Sequence, residues 1–216
     1  MAYIIGKNTV GLDKKASFLG YAAVVGEKEG EGPLGHDFDD VYTDAYLGQK
    51  SFEDAESKLM ENAVLTATKK AGIKPQDAQY IFAGDLLNQC IASTFGIYNF
   101  GVPFVGMYGA CSTMALTLIN AALFLDAGAA KTVICAVSSH FCTAERQYRF
   151  PLEYGGQRTP TAQWTVTGSG AAVLGKGSGP YISSLTIGKP IDFDIKDANN
   201  MGAAMAPQDV KIRPYL

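Results

Sequence analysis

The segment GMYGACSTMALTLINAALFL, residues 106–125, decides how the rest of this 216-residue sequence is interpreted. Two small residues, Gly109 and Ala110, separate a short apolar run from a long stretch of apolar and small residues that begins at Cys111. The pattern predicts a strand that turns sharply into a helix over residues 111–127, ended by Gly128. Asp126 is the only charge in that helix, and a helix that is apolar on nearly every side must be covered on two sides. We therefore expect more than three layers of secondary structure around it.

The absence of charge extends well beyond this helix, because no Asp, Glu, Lys or Arg lies between Leu86 and Leu125. A run of this length is sufficient to span a membrane. It is interrupted, however, by glycines, hydroxyl residues and Asn120, and Lys and Arg do not flank it as they flank a span. A deeply buried layer of a soluble α/β protein is the better interpretation.

Composition limits the class of protein. The chain is 47% hydrophobic and 18% charged, with 24 glycines, which is typical of one large or two small globular domains. A net charge of −3 argues against a nucleic-acid partner. Four cysteines without a Cys-x-x-Cys pair, and only two histidines, give no support for a metal site. The N-terminus has no basic start followed by an apolar run, so we expect an intracellular protein with reduced thiols.

Alternating strands and helices predict the fold class. A helix over 51–71 begins at the capping residue Ser51 and ends at Gly72. A strand over 78–84, a helix over 88–99, and strands over 102–108 and 131–139 complete the order expected of a mostly parallel sheet with right-handed crossovers. After Ser139 we expect a long irregular region, and then a hairpin of two strands over 165–175 and 180–188.

Ligands of parallel sheets bind at the carboxyl ends of the strands, and here three segments with polar groups should converge on one crevice. They are Asp85, the turn before Cys111, and residues Ser138, Ser139 and His140. A thiol at a helix N-terminus meets unpaired N–H groups, which stabilise a thiolate and attract a carboxylate. A plain buried cysteine is the alternative for Cys111, and the turn-to-helix setting favours a functional one.

The other candidates each keep a structural alternative. Asp85 is either a wall group of the crevice or a cap of the next helix. His140 is either a base or a buried structural histidine. Arg146, Arg149 and Arg158 are either solvated or act as two-pronged clamps for a carboxylate.

Several strings carry a resemblance to known proteins. GACST at a strand-to-helix turn, followed by TGSGAAVL, resembles the N-terminal half of the thiolase and ketoacyl synthase fold, in which Cys111 matches the nucleophile position. GPLGHDFDDVY, AGDLLNQ, YGACST, SSHFCTAERQYRFPLEYGGQ and DANNMGAAMAP resemble the stage V sporulation protein AD family. The resemblance divides the chain into a thiolase-like N-terminal half, residues 1–207, and a tail, residues 208–216, that does not continue it. It also implies a second half, which would cover the apolar helix and carry the catalytic histidines of the superfamily.

The resemblance implies a function. A member of this family is expected to bind dipicolinic acid (pyridine-2,6-dicarboxylate) or its calcium chelate without catalysis, for uptake into the developing spore, and to need no cofactor. Its expected partners are the membrane subunits of the same transport complex, at the inner membrane of the developing spore, and a bare apolar face would favour a homo-oligomer. The alternatives are an acyltransferase with Cys111 as nucleophile and a scaffold that only docks the membrane subunits. The expected ligand-binding residues are Cys111, Asp85, Ser138, Ser139, His140, Arg146 and Arg149.

Overall fold

A computed structural model of the chain describes residues 1–148, 165–189, 191, 192, 194 and 196. Within these residues the strands belong to one sheet: β1 (Tyr3–Ile4), β2 (Thr9–Gly26), β3 (Asp40–Tyr42), β4 (Tyr80–Gly84), β5 (Phe104–Gly106), β6 (Thr132–Ser139), β7 (Gly168–Gly175) and β8 (Tyr181–Thr186). The α-helices are α1 (Glu27–Gly30), α2 (Phe52–Ala71), α3 (Ile91–Ile97), α4 (Thr113–Ala127) and α5 (Phe141–Tyr148).

The sheet runs in the order β1-β2-β7-β6-β4-β5, and β3 and β8 also pair with β2. Strands β4, β5 and β6 are parallel, as predicted from the alternation of strands and helices. The predicted hairpin is wrong, because β8 pairs with the first half of β2 and β7 pairs with its second half. β2, at 18 residues, is long enough to take both partners, and it was not predicted at all.

The predicted helices are present, but the helix expected over 111–127 begins at Thr113, after a 3₁₀ turn (Ala110–Ser112). α2 begins at Ser51, whose hydroxyl oxygen accepts a hydrogen bond from Asp54 N at 3.1 Å, and it ends at Gly72 with φ of 72°. The helix expected over 88–99 is divided into a 3₁₀ turn (Asn88–Cys90), α3, and a second 3₁₀ turn (Tyr98–Phe100). The region after Ser139, expected to be irregular, begins with α5.

Alternate residues of the sheet face two different helix layers. Ile81 and Ala83 of β4 pack in the apolar cluster that contains α2, whereas Phe82 packs in the cluster that contains α4. The sheet is therefore the middle layer between α2 and α4, and the side of the sheet to which a side chain points follows from its position in the strand.

α4 is covered on one side by the described residues. Thr113, Thr117, Ala121 and Leu125 are buried toward the sheet, while Ala115 is exposed on the opposite side. The second layer expected over this helix is not formed by the part of the chain that the structure describes. The stretch Ala110–Ala127 is long and apolar enough to cross a membrane, but the core helix of a soluble protein passes the same test, and this one packs against a sheet.

The charge at the end of α4 has a structural use. The register of β2 against β8 shifts between Gly11 and Ala16, and Asp126 Oδ1 accepts hydrogen bonds from Asp13 N at 2.9 Å and Lys14 N at 2.7 Å inside this irregular segment. The carboxylate thus supplies the acceptor that the interrupted ladder lacks.

We expect Asp126→Ala to lower the free energy of unfolding by about 2–3 kcal/mol, because two backbone N–H groups lose their acceptor. Asp126→Asn is the matched control: both bonds end on one oxygen, which the amide retains, so most of the stability should remain. Urea titration followed by circular dichroism measures both variants. Equal losses for the two would show that the negative charge, and not the acceptor, is what stabilises this corner.

Candidate functional site

Three parallel strands end side by side at one edge of the sheet. β4 lies between β5 and β6, with Ala83 opposite Gly106 and Gly84 opposite Val137. Asp85 follows β4, the turn that contains Cys111 follows β5, and residues 138–140 form the end of β6 and the residue after it, so all three segments lie at this carboxyl edge as predicted.

The side chains at this edge do not share one crevice. Asp85 and Ser138 continue the strand positions that face α2, and the Ser138 hydroxyl bonds Glu56 of α2. Cys111 belongs to the turn that leads into α4, on the opposite face of the sheet. Ser139 alternates away from Ser138, and its hydroxyl donates to Val166 O at 2.6 Å. These residues therefore do not line a single crevice.

Cys111 is exposed, in a 3₁₀ turn (Ala110–Ser112) directly before α4. Ala110 has φ of 46°, in the left-handed region, and Ser112 Oγ donates to Gly109 O at 2.7 Å, which closes the turn. The alternative of a plain buried cysteine is wrong for Cys111. Cys135 in β6, by contrast, is buried, and burial raises the pKa of its thiol to about 12.

Backbone strain accumulates at the same edge. Gln89 and Cys90 have φ of 62° and 52°, so three of the non-glycine residues with positive φ, including Ala110, lie in the segments that follow β4 and β5. Such conformations are disfavoured and are found preferentially at functional sites. This strain supports the carboxyl edge as the candidate site.

The Asp85 carboxylate is buried and is occupied by its own loop. Oδ1 accepts from Leu87 N at 2.8 Å, and Oδ2 accepts from Ser93 N at 2.7 Å and from the Ser93 hydroxyl. These bonds hold the chain where it enters α3, which is the capping role left open as the alternative. To bind a ligand through its carboxylate oxygens, Asp85 would have to break these hydrogen bonds.

His140 is likewise occupied. Its ring is buried and lies 5.2 Å from the Phe52 ring, centroid to centroid. Nδ1 accepts from Cys142 N at 3.1 Å, so the proton sits on Nε2, which donates to Ala45 O at 2.8 Å. Burial lowers the pKa of His140, so the ring is neutral. A neutral histidine with both nitrogens bonded is a structural residue, and the interpretation of His140 as a base is corrected.

Sequence reasoning missed Glu56. This residue is fully buried, Oε1 accepts from Ser138 Oγ at 3.1 Å, and Oε2 lies 2.6 Å from Thr143 Oγ1. Burial, with a contribution from the nearby Asp85 charge, raises the pKa of Glu56 to about 7. The signal was available, because Phe52, Glu56 and Leu59 follow the 3.6-residue period of the buried stripe of α2.

The predicted arginine clamp is described only in part. Arg146 of α5 pairs with Glu53 of α2, with 2.8 Å between Nη1 and Oε1, which is the salt-bridged alternative. Arg149 and Arg158 lie outside the described residues. Within the described residues, no group of three or more His, Cys, Asp or Glu is placed to hold a metal ion.

An apolar groove of about 400 Å³ lies beside the first turn of α4. It opens between this helix and strands β2 and β7, and its lining comprises Phe18, Tyr21, Ala22, Met114, Gly170, Ala171, Ala172 and Pro180. Cys111 is not part of the lining, although it precedes Met114 by one helical turn. The groove offers apolar contact, and polar groups for an anion would have to come from the turn before α4.

Comparisons with known proteins agree on one family. The sequence profile of stage V sporulation protein AD matches residues 6–213, which extends past residue 207, where the sequence resemblance was placed to end. The stage V sporulation protein AD of Bacillus subtilis (strain 168) is 43% identical over 205 residues. The alignment covers 94% of this chain and 61% of that protein, so the chain spans less than two thirds of its curated relative.

Solved structures show the fold. The 3-oxoacyl-[acyl-carrier-protein] synthase III of Aquifex aeolicus VF5 has a TM-score of 0.50 at 14% identity, over 75% of this chain and 54% of that one. The H285N variant of Xanthomonas campestris OleA has a TM-score of 0.51 at 16% identity, over 76% of this chain and 57% of that one. At such identities the likeness concerns architecture alone, and it confirms the predicted thiolase-like fold.

Proposed function

This chain belongs to the stage V sporulation protein AD family, so its role lies in sporulation, and we propose that this role is the non-catalytic binding of pyridine-2,6-dicarboxylate or its calcium chelate. The ligand would be bound for uptake into the developing spore. Membership of the family rests on the profile match and on 43% identity over nearly the whole chain.

The observation that carries the proposal is the exposed turn before α4. Carboxylates are attracted to helix N-termini, where N–H groups point outward and the helix dipole is positive. Cys111 is exposed in this turn, and the adjacent groove that Met114 borders is lined by apolar side chains, which suit the flat face of a pyridine ring. A doubly anionic aromatic ligand would use both features, and Arg149 remains a predicted clamp.

Within the described residues, the setting of the thiol favours binding over catalysis. Nucleophilic catalysis by cysteine needs a base within hydrogen-bonding distance. His140 faces α2, on the other side of the sheet from Cys111, and both of its ring nitrogens are bonded elsewhere. His140, the candidate base predicted from the sequence, therefore does not serve Cys111.

We expect titration calorimetry with pyridine-2,6-dicarboxylate to give binding heat with the full chain. Cys111→Ala should weaken the affinity about tenfold, equivalent to about 1.4 kcal/mol, because it changes the surface on which the ligand lies. Cys142→Ala is the matched control, since Cys142 is a partly exposed cysteine in α5, and it should bind as the parent does. Absence of heat from the parent, or equal affinity in Cys111→Ala, would contradict the proposal.

Acyl transfer is the second candidate, favoured by the exposure of Cys111 at a strand-to-helix turn. Incubation with acyl-CoA followed by intact-mass measurement separates the two functions. A mass increase of one acyl group that disappears in Cys111→Ala would identify a nucleophile, and no adduct is expected from a binding protein.

Location and partners follow from the proposed function. We propose that the chain acts at the inner membrane of the developing spore as a peripheral component, together with membrane subunits of the same transport complex. Calcium would arrive with the ligand and is not proposed as a resident cofactor.

A further inference from the structure

Glu56 is a buried carboxyl group that the proposed binding of a ligand does not use. Its side chain has no solvent exposure, and within the described residues it has no ion-pair partner. Its two hydrogen-bond neighbours are the hydroxyl groups of Ser138, at the end of β6, and Thr143, in the first turn of α5. An ionised carboxylate without a cation is unfavourable in such surroundings.

The two short contacts of the Thr143 hydroxyl group show where a proton fits. Thr143 Oγ1 lies 2.6 Å from Glu56 Oε2 and 2.9 Å from the backbone oxygen of His140. A hydroxyl group has one proton, so Thr143 cannot donate to both acceptors. If Glu56 carries a proton on Oε2, it donates to Thr143 Oγ1, and Thr143 donates to His140 O. Both short contacts of Thr143 Oγ1 are then hydrogen bonds.

The charged groups around Glu56 favour the same assignment. Asp85 is a buried acid whose two oxygens accept three hydrogen bonds from its own loop, and its proximity disfavours a negative charge on Glu56. Glu53, one turn earlier on α2, adds negative charge and is paired with Arg146 of α5. His140 is neutral, with both nitrogens bonded.

The same contacts attach α5 to α2. Thr143 meets Glu56, Arg146 meets Glu53, and the His140 ring, immediately before α5, packs on Phe52. Along the chain α5 leads into residues 149–164, which contain Arg149 and Arg158. The position of α5 on α2 therefore sets where this arginine-bearing segment begins.

We propose that Glu56 is a proton-dependent clasp: it is protonated while α5 lies against α2, and loss of that proton loosens α5. On ionisation the Oε2–H bond to Thr143 disappears, and the Thr143 hydroxyl turns from His140 O to the new carboxylate. The first turn of α5 thereby loses a hydrogen bond, while a negative charge remains buried beside Asp85. The raised pKa of Glu56, about 7, places the change in the physiological range.

Amide hydrogen exchange of the full chain, followed by mass spectrometry between pH 6 and pH 8, tests the clasp. After correction for the intrinsic exchange rate, protection of the peptide that covers 141–148 should fall about tenfold over this range in the parent. Glu56→Gln, which cannot ionise, should keep its protection constant. Glu53→Gln is the matched control: it removes the charge that pairs with Arg146 of α5, so protection should be lower at every pH and should still fall with pH, at a somewhat lower pH because the Glu53 charge helps to raise the pKa of Glu56.

Constant protection in the parent, or the same fall in Glu56→Gln, would overturn the proposal. Infrared difference spectra of the parent give a second test that needs no variant. A protonated-carboxyl band present at pH 6 and lost at pH 8 is expected, and its absence at pH 6 would equally overturn the clasp. Neither test involves pyridine-2,6-dicarboxylate, so failure of the ligand proposal would leave this one standing, and the reverse.

Discussion

Glu56→Gln is expected to make the chain more stable than the parent at pH 8 and to leave it similar at pH 4. The pKa of Glu56 is raised in the folded protein from 4.5 to about 7. The contribution of this group to stability is therefore fully present below its unfolded pKa and is lost as pH rises through its folded pKa. Each unit of the difference is worth about 1.4 kcal/mol, so the loss by pH 8 is about 3 kcal/mol, and glutamine avoids it.

Denaturant titrations at several pH values between 4 and 8 measure this effect. The parent curve should fall relative to the Glu56→Gln curve across that interval. Glu53→Gln serves as control, since its pair with Arg146 is partly exposed and is worth about 0–1 kcal/mol. Parallel curves for the parent and Glu56→Gln would show that Glu56 ionises in the folded chain as it does in the unfolded one.

Gly84→Ala is expected to cost about 3 kcal/mol of stability and to displace the turn that contains Cys111. A Cβ at residue 84 would lie 1.9 Å from Met107 O and 2.6 Å from Thr113 Cγ2. The backbone cannot easily retreat, because Met107 N is bonded to Ala83 O at 2.8 Å. Overpacking of this kind usually costs 1–3 kcal/mol, and contact with backbone atoms puts this site at about the upper limit.

Gly170→Ala is the matched control, because it lies in β7 and its added Cβ would find its nearest neighbour, Ala22 O, at 4.0 Å. Thermal unfolding and the rate of Cys111 alkylation report the two effects of Gly84→Ala. If Gly84→Ala has the same stability and Cys111 alkylation rate as Gly170→Ala, the turn after β5 accommodates the new methyl group without strain, which would contradict the prediction.

Local signals in the sequence predicted the elements that they control. Ser51 and Gly72 bound α2 because a hydroxyl cap and a left-handed glycine act within a few residues of each end. The parallel order of β4, β5 and β6 followed from strands that alternate with helices. β2 escaped prediction because Asp13, Lys14 and Lys15 interrupt its apolar pattern, and the β7–β8 hairpin was inferred from proximity in sequence alone.

The candidate site was predicted at the level of segments and not of side chains. That Asp85 and Cys111 follow neighbouring strands can be read from the order of elements, whereas the face each one occupies depends on the strand register, which only the structure supplies. Glu56 was visible as a charge within the buried stripe of α2. Its partners Ser138 and Thr143 are far from it in sequence, so no local pattern joins them.

The placement of β2 has a consequence for biosynthesis. This strand is made among the first, yet it waits for β7 and β8, with Thr9 opposite Thr186 and Val25 opposite Gly168. A ribosome therefore delivers the whole β4–α4–β6 unit before the early strand can find either of these neighbours. Contacts so distant along the chain form slowly, so most of β2 lacks its final neighbours until residues 168–186 have been made, which is the interval in which a chaperone would act.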